Sequence, residues 1–384
     1  MPNFSRANVP RVLVLHAYSP TNSGDGLLVD LALQTLRHAI GDFDYHVVAS
    51  DATGFGDERY IQWGVGHRGR FGLPRRIAMM STGVFGAPGN VVKLAEHADL
   101  IVAVGGAYLR GGGLVESLKS AGAHYGQLKL AAKHGAKAIY LPQSIGPFTG
   151  VYRNMMDRQL SAIGAVFVRD EKSFRDWMHL KGVSRAPDMA ILEWARTFDG
   201  GTQLSDAGPV FVARELSRPR KYGELLESVR QSGRYEWAVQ ATGGGNDDFP
   251  LTRKFSPTEP RLLHEMLSEQ RPRVVVSTRL HGSLSSLIAG YPSVHLSYER
   301  KGFSAFSDLG LSEFVLSARD ATLGEIEARV ATITRDPQAY WSTLARQIDE
   351  IGAAARAIEA RLQHTLQQQR RRTTGCDAQK VDPS

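Results

Sequence analysis

The stretch at residues 273–306, RVVVSTRLHGSLSSLIAGYPSVHLSYERKGFSAF, carries the pattern that decides the fold. Its three valines at 274–276 are β-branched, and such a run favours a buried strand. Apolar residues at helical spacing then predict a helix that begins near Arg279 and ends at Gly290. Residues 294–298 are predicted to form the next strand. A strand–helix–strand unit implies two parallel strands that are joined by a right-handed crossover.

Two polar residues, Arg279 and His281, fall on the first turn of the predicted helix. In open parallel sheets, ligands bind beyond the carboxyl ends of the strands, and helix N-termini attract anions. Glu299 and Lys301 follow the next predicted strand, so the four side chains are expected at adjacent strand ends. The pattern favours a site for a small anion. The alternative is a capped helix with two polar residues on its surface.

The run Arg279-Leu280-His281, the small-residue helix after it and the run Tyr298-Glu299-x-Lys301 resemble the C-terminal signature of polysaccharide pyruvyl transferases. Enzymes of that family move the enolpyruvyl group of phosphoenolpyruvate onto a sugar. A family arginine at the end of the first strand of the second domain is matched here by Arg214. The resemblance implies that phosphoenolpyruvate is bound by Arg214, Arg279, Leu280, His281, Glu299 and Lys301.

Four stretches of the first half also resemble loops of that family, and the resemblance as a whole covers most of residues 11–310. They are Asn22-Ser23-Gly24-Asp25, Gly105-Gly106, the loop at 142–147 (PQSIGP) and the stretch at 186–190 (APDMA). The resemblance implies that the acceptor sugar is bound by Asn22, Asp25, Gly105, Gly106, Gln143, Ser144 and Asp188. For Asp25, a purely structural role as a helix cap is the alternative.

The chemistry that the resemblance implies uses Arg214, Arg279 and His281 as the catalytic residues. Two arginines suit a donor with a phosphate and a carboxylate, because a guanidinium forms paired hydrogen bonds with such groups. A histidine transfers protons near neutral pH, and His281 is the candidate. A sugar hydroxyl adds to protonated phosphoenolpyruvate, and a second hydroxyl then displaces phosphate to give a cyclic pyruvate ketal. The sequence shows no cluster with metal-ligand spacing, so neither a metal nor a cofactor is expected.

Length and composition set the remaining limits. A chain of 384 residues is too long for one ordinary core, and 42% hydrophobic residues is typical of a soluble protein. Lysine and arginine number 46 against 39 acidic residues, which suits anionic substrates or an anionic membrane surface but also simple solubility. Nothing in the pattern favours nucleic-acid binding. The single cysteine, Cys376, excludes internal disulfides and fits a reducing compartment.

The location and the partners are less well defined by the sequence. The N-terminus has no signal-peptide core, and no apolar run has the length of about 20 residues that spans a bilayer. We therefore expect a cytoplasmic enzyme. The segment 51–90 is irregular, and its basic part at 67–76 suits either a peripheral contact with the inner membrane face, where a lipid-linked acceptor would lie, or a solvated loop. The oligomeric state stays open.

The fold class that the pattern and the resemblance imply is α/β. We expect two Rossmann-like parallel-sheet domains that face a cleft, in a GT-B-like arrangement, and a long C-terminal helix whose apolar stripe packs across the domains or forms a dimer contact. The N-terminal domain is expected to hold the acceptor, and the C-terminal domain phosphoenolpyruvate. The predicted parts are the first domain at 1–195, a linker at 196–208, the second domain at 209–335, an amphipathic helix at 336–368 and a disordered tail at 369–384.

Two other functions fit the same pattern. A GT-B glycosyltransferase that uses a nucleotide sugar would share the fold, and Glu299 would then hold the ribose. A catalytically silent glycan-binding relative would be marked by the loss of Arg214, Arg279 or His281, and all three are present. Fold alone decides neither alternative.

Overall fold

A computed structural model of the chain describes residues 9–19, 23–52, 55–63, 86–111, 120–216, 220–242 and 247–378. The chain divides into two compact units. The first unit comprises Met1–Pro20, Asp25–Ala186 and Ala355–Ser384, and the second comprises Thr21–Gly24 and Pro187–Ala354.

The strands of the described residues are all parallel to their neighbours. In chain order they are β1 (Arg11–Ala17), β2 (Asp44–Ala49), β3 (Tyr60–Gln62), β4 (Leu100–Ala103), β5 (Gly106–Leu109), β6 (Ala138–Ile145), β7 (Ala165–Val168), β8 (Val183–Arg185), β9 (Val210–Val212), β10 (Glu236–Val239), β11 (Arg261–Leu262), β12 (Val275–Ser277), β13 (Ser293–Ser297) and β14 (Val315–Ser317).

The α-helices of the described residues alternate with these strands, as parallel pairing requires. They are α1 (Ser23–Ile40), α2 (Gly89–His97), α3 (Gly126–Lys133), α4 (Gly150–Ser161), α5 (Glu171–Trp177), α6 (Met189–Thr197), α7 (Arg220–Ser232), α8 (Phe249–Phe255), α9 (Leu263–Ser268), α10 (Leu280–Ile288), α11 (Arg300–Asp308), α12 (Leu323–Arg335), α13 (Pro337–Ala345) and α14 (Ile348–Ala378). A π-helical turn (Ala121–Tyr125) precedes α3, and short 3₁₀ turns lie at Gly135–Lys137 and Ser312–Phe314.

The sheet of the first unit has the strand order β3-β2-β1-β4-β6-β7-β8, and β5 pairs with β6. Every residue of β1 after Arg11 is buried, which is the pattern of a strand covered on both faces by helices. The apolar stripe of α14 joins this core: Ile358 and Leu362 are fully buried, and Gln363 donates a hydrogen bond to the carbonyl of Ala39 (2.8 Å). This part of the stripe is covered within the chain, so it is unavailable for a dimer contact.

The sheet of the second unit has the order β11-β10-β9-β12-β13-β14. The predicted unit β12–α10–β13 forms as expected, with β12 and β13 as direct parallel neighbours. Apolar residues of three strands and of α9 build a core on one face, among them Val210, Val275, Leu263, Met266 and Tyr291. The sequence pattern at 273–306 thus locates the centre of this sheet correctly.

The two units divide the chain at Ala186 and Pro187, whereas the sequence prediction ended the first domain at 195. Helix α6 belongs with the second unit because it packs against α10. The stretch 198–209, which is fully described, contains neither helix nor strand and overlaps most of the predicted linker.

Three local predictions were wrong. The loop predicted at 142–147 is in part a strand, because β6 continues to Ile145 and pairs with β5 and β7 there. The single helix predicted at 336–368 is two helices, which are separated by a turn in which Gln347 donates its backbone N–H to the carbonyl of Leu344 (2.9 Å). The tail predicted to be disordered from 369 continues α14 to Ala378, and it begins with good helix formers, Gln369 and the three arginines after it.

Candidate functional site

Three neighbouring strands of the second sheet end in polar residues at the same edge. The order β9-β12-β13 makes these strands direct neighbours, and Arg214, Arg279 and Tyr298 follow shortly after their last residues. Because all three strands are parallel, their carboxyl ends lie side by side. Arg214 and Arg279, which the family resemblance assigns to the same donor, therefore follow neighbouring strands at one edge of the sheet.

Arg279 forms a buried ion pair that the sequence analysis missed. Its Nε lies 2.6 Å from Oδ2 of Asp248, and its Nη2 lies 2.6 Å from Oδ1 of the same carboxylate. Both side chains are buried, and Asp248 is only 2% exposed. Burial raises the pKa of Asp248, whereas the hydrogen bonds and charge of Arg279 and the charge of Arg214 act to lower it. Asp248 precedes Phe249-Pro250, and this helix-start pattern was the only signal for it in the sequence.

Arg214 is held by an aromatic side chain. Its guanidinium lies over the ring of Tyr298, 4.7 Å from the centroid, and Nη1 donates a hydrogen bond to the Tyr298 hydroxyl. The backbone N–H of Arg214 donates to the hydroxyl of Tyr222 (3.4 Å), which lies 2.8 Å from Oγ1 of Thr278. Burial raises the pKa of Tyr222 to about 12, so the phenol stays neutral. Tyr222 thus links the ends of β9 and β12.

His281 lies on the first turn of α10, where the sequence placed it. Nε2 of His281 is 3.9 Å from Oδ2 of Asp188, so the two side chains form an ion pair when the imidazole is protonated. Asp188 is the N-cap of α6 and accepts a hydrogen bond from the N–H of Ala190 (3.0 Å). Gly24 belongs to the second unit and lies close to the same ring. A Cβ on Gly24 would lie 2.8 Å from Nδ1 of His281.

Three more predicted donor-site residues lie at this edge. Lys301 and Glu299 pair with one another at 3.0 Å, and the side chain of Lys301 is 21% exposed. Leu280 is buried in the first turn of α10. Packing restricts position 282 to glycine, because a Cβ on Gly282 would lie 2.6 Å from Oγ of Ser277.

A second histidine of this unit, His295, is structural. It is buried on β13, its Nδ1 lies 2.9 Å from the carbonyl oxygen of Ser277, and its ring stacks on Phe306. Burial lowers the pKa of His295 to about 3, so it stays neutral at physiological pH. The close approach of Gly302 to its ring completes this packing.

The predicted acceptor residues of the first unit lie at the carboxyl edge of the other sheet. Gln143 is on β6 and fully buried, and both polar atoms of its side chain have no hydrogen-bond partner among the described residues. The Oγ of the neighbouring Ser144 lies 3.2 Å from Nε of Arg169. Gly106 begins β5 with a φ of 141°, a conformation that favours glycine.

The other predicted acceptor residues lie in connections after strands or at the starts of helices. Gly105 lies between β4 and β5, and Asp25 lies in the first turn of α1. Asp188 follows β8 by three residues, belongs to the second unit, and caps α6 beside His281. Asn22 and the basic segment at 67–76 lie outside the described residues.

A buried histidine pair in the first unit was also missed. His16, at the end of β1, has a φ of 67°, which is uncommon for a residue with a side chain. Its Nδ1 lies 3.3 Å from Nδ1 of His124, its Nε2 lies 2.8 Å from the hydroxyl of Tyr140, and its N–H donates to Oε1 of Gln127 (2.7 Å). Burial lowers the pKa of His16 and lowers that of His124 to about 4. The pair is therefore a neutral network inside the core.

Comparison with known families decides the relationship of the chain. The sequence profile of the polysaccharide pyruvyl transferases matches residues 22–300 of the 384. This chain belongs to the polysaccharide pyruvyl transferase family. Of the residues predicted to bind donor or acceptor in this family member, only Lys301 lies beyond the matched range. No curated protein matches the chain.

Two solved structures have a similar fold. A putative UDP-N-acetylglucosamine 2-epimerase from Listeria monocytogenes is 14% identical, with a TM-score of 0.52 over 93% of this chain and 97% of that one. MnaA from S. aureus, solved with UDP, is 8% identical, with a TM-score of 0.54 over 94% and 97% of the two chains. At such low identity the likeness concerns the fold alone. Together with the two parallel sheets and the long C-terminal helix, it confirms the predicted GT-B-like class.

Proposed function

We propose that this family member transfers the enolpyruvyl group of phosphoenolpyruvate to a sugar of a glycan or of a lipid-linked saccharide, forming a pyruvate ketal and releasing phosphate. The proposal rests on family membership and on one structural observation. Arg214 and Arg279 follow neighbouring strands of one sheet, and His281 lies two residues after Arg279. Arg214, Arg279 and Lys301 bring three cationic side chains to this edge, beside the carboxylates of Asp248, Glu299 and Asp188, and such cations suit a small, strongly anionic donor.

Each of the two arginines binds one of the two anionic groups of the donor. Phosphoenolpyruvate carries a phosphate and a carboxylate on three carbons, and each group is a good partner for a guanidinium. The guanidinium of Arg214 is kept in place by Tyr298, and that of Arg279 by Asp248. Held side chains lose little conformational freedom when the ligand binds, which favours affinity.

His281 is the proposed proton-transfer group. In the first step the imidazolium gives a proton to the methylene carbon of the donor, while the oxygen of a sugar hydroxyl bonds to the central carbon and its proton passes to the imidazole. The product is a tetrahedral phosphoketal. In the second step another hydroxyl of the same sugar bonds to that carbon, the carbon–oxygen bond to phosphate breaks, and the hydroxyl proton leaves with the phosphate. The carboxylate of Asp188, 3.9 Å away, stabilises the imidazolium between proton transfers.

The location and the membrane contact stay predictions. In the described part of the chain, no helix combines the length and the hydrophobicity that crossing a membrane requires. The basic segment at 67–76, on which a peripheral contact would depend, lies outside the described residues. The use of no metal or cofactor also stays a prediction.

The decisive experiment incubates purified protein with phosphoenolpyruvate and a panel of glycosides and follows phosphate release. We expect release that depends on one acceptor class, together with a ketal product in mass spectrometry. Parallel reactions contain UDP-sugars in place of phosphoenolpyruvate. Transfer from a UDP-sugar, with none from phosphoenolpyruvate, would establish the glycosyltransferase alternative and reject the proposal.

A further inference from the structure

The ion pair between Asp248 and Arg279 is buried on both sides, unlike the exposed pair between Arg253 and Glu259. The side chains of Arg279 and Asp248 are 9% and 2% exposed. A pair of equal length, 2.6 Å, joins Arg253 to Glu259, but those side chains are 59% and 67% exposed. Exposed pairs of this kind contribute little to stability.

Burying two charges costs free energy, so a gain in stability does not explain why this pair is present. Moving both ions out of water costs several kcal/mol each, and well-packed apolar residues often replace a buried pair without loss. A buried carboxylate beside the proposed donor site therefore calls for another role. We propose that Asp248 is a positioning residue, which fixes the direction of the Arg279 guanidinium so that its far side faces phosphoenolpyruvate. This inference rests on the proposed function.

The hydrogen-bond geometry determines the direction. Asp248 accepts from Nε and Nη2, which form one edge of the planar guanidinium. The other edge, formed by Nη1 and Nη2, is then turned away from Asp248 in the same plane. Paired binding of phosphate or carboxylate uses two N–H groups of such an edge, so an arginine that rotates freely would lose this match.

Asp248 is itself fixed from two sides. Its backbone N–H donates to the carbonyl of Ala241 (2.9 Å), and the N–H of Ala241 lies 3.3 Å from Oδ2. Its own carbonyl accepts from the N–H of Thr252 in α8 (2.9 Å). Ala241 follows β10, which pairs with β9, so the carboxylate is tied to the sheet whose edge carries Arg214. Asp248 is therefore fixed relative to the sheet, and its carboxylate in turn fixes the guanidinium of Arg279.

The test compares Asp248→Asn with Asp247→Asn. Asp247 is the exposed neighbour that accepts a hydrogen bond from the N–H of Phe249 (3.0 Å), so the control removes the same charge one residue away. We measure phosphoenolpyruvate binding by calorimetry without acceptor. In Asp248→Asn the amide N–H groups face the guanidinium donors, and we expect binding to weaken by roughly tenfold or more, the scale of a hydrogen bond to a charged group. In Asp247→Asn we expect a change below about twofold.

A double-mutant cycle separates positioning from general damage. If Asp248 acts through Arg279, then Asp248→Asn combined with Arg279→Lys binds phosphoenolpyruvate no more weakly than Arg279→Lys alone. In kinetics, Asp248→Asn should raise KM for phosphoenolpyruvate much more than it lowers kcat. Additive losses in the cycle, or binding in Asp248→Asn that equals or exceeds that of the wild type, would overturn the inference.

A spectroscopic measurement keeps this test independent of the proposed reaction. The Nε–H signal of Arg279, assigned by its loss in Arg279→Lys, should exchange slowly with water in the wild type and in Asp247→Asn, and rapidly in Asp248→Asn. Slow exchange in Asp248→Asn would show that the pair does not hold the arginine. A wild type that binds phosphoenolpyruvate but transfers nothing would reject the proposed function and leave this inference standing. If Asp248→Asn does not fold, Asp248→Glu, which keeps the charge but moves the carboxylate, is expected to weaken binding in the same way.

Discussion

The carboxyl edges of the two sheets use histidine in opposite ways. In the first unit, His16 and His124 contact each other inside the core, His16 also contacts Tyr140, and burial lowers the pKa of both rings. In the second unit, His281 stands at an edge that also carries arginines and carboxylates. Both sheets are parallel, and His16 lies at the end of β1 whereas His281 follows β12. Sheet topology thus brings polar residues together at a carboxyl edge, while burial and neighbouring charges decide whether a histidine there is part of a neutral core network or stands beside ionised side chains.

The largest expected effect concerns His281. His281→Ala should lower turnover by roughly 10²–10⁴-fold, the usual contribution of general acid–base catalysis. Phosphoenolpyruvate binding should fall much less, because Arg214 and Arg279 remain. The matched control is His264→Ala, an exposed histidine of α9. Equal turnover in the two variants, or unfolding of His281→Ala in circular dichroism, would place His281 with the structural histidines.

Arg279→Lys should weaken phosphoenolpyruvate binding by roughly 10- to 100-fold. An ammonium cannot offer two parallel N–H groups to an anion, nor can it keep both contacts with Asp248. Calorimetry without acceptor measures the loss. Arg253→Lys, in the exposed pair with Glu259, provides the control and should bind as the wild type does. Unchanged affinity in Arg279→Lys would leave Arg214 as the main donor ligand.

The histidine pair of the first unit should make stability depend on pH. The folded-state pKa of His124, about 4, lies below its ordinary value of 6.5, so the unfolded chain binds protons first as the pH falls. Stability is full above about pH 6.5 and is lost as the pH falls towards 4, by at most about 1.4 kcal/mol per pH unit for each such histidine.

Urea unfolding across that range measures this dependence. His124→Gln removes one titrating ring and should flatten it, whereas His97→Gln, at an exposed position of the same unit, should not. If the free energy of unfolding depends on pH equally in His124→Gln and in the wild type, the buried pair does not control stability in acid.

The smallest expected effect distinguishes two roles for Asp188. Asn caps a helix as well as Asp does, so Asp188→Asn should fold normally. If Asp188 stabilises the imidazolium of His281, turnover should fall by about fivefold, the scale of a weak ion pair. If Asp188 binds the sugar, as the sequence resemblance implied, the KM for the acceptor should rise instead and turnover should hold. Steady-state kinetics with both substrates varied separates the two outcomes.

The candidate site could be predicted where its residues follow a local pattern. His281 lies in the first turn of a helix that its apolar spacing predicted, whereas Arg279, predicted in the same turn, is the N-cap residue just before it. Their placement after a strand followed from the alternation of strand and helix. Asp248 could not be predicted, because it is 31 residues from Arg279 along the chain and no periodicity links the two. The prediction that Gln143 lies in a loop was wrong for a related reason. Pro142 ends strands in many contexts, but here β6 continues because β5 and β7 pair with it on both sides.

The sequence by itself determined the alternating α/β class, the centre of the second sheet and the family, because these depend on spacing between neighbouring residues and on short motifs. Tertiary structure alone decided which polar side chains meet: Asp248 with Arg279, Tyr298 with Arg214 and Asp188 with His281. Each of these contacts joins residues from separate strands or helices. The physical reason is that burial and electrostatic interaction depend on distance in space, which the order of residues does not encode locally.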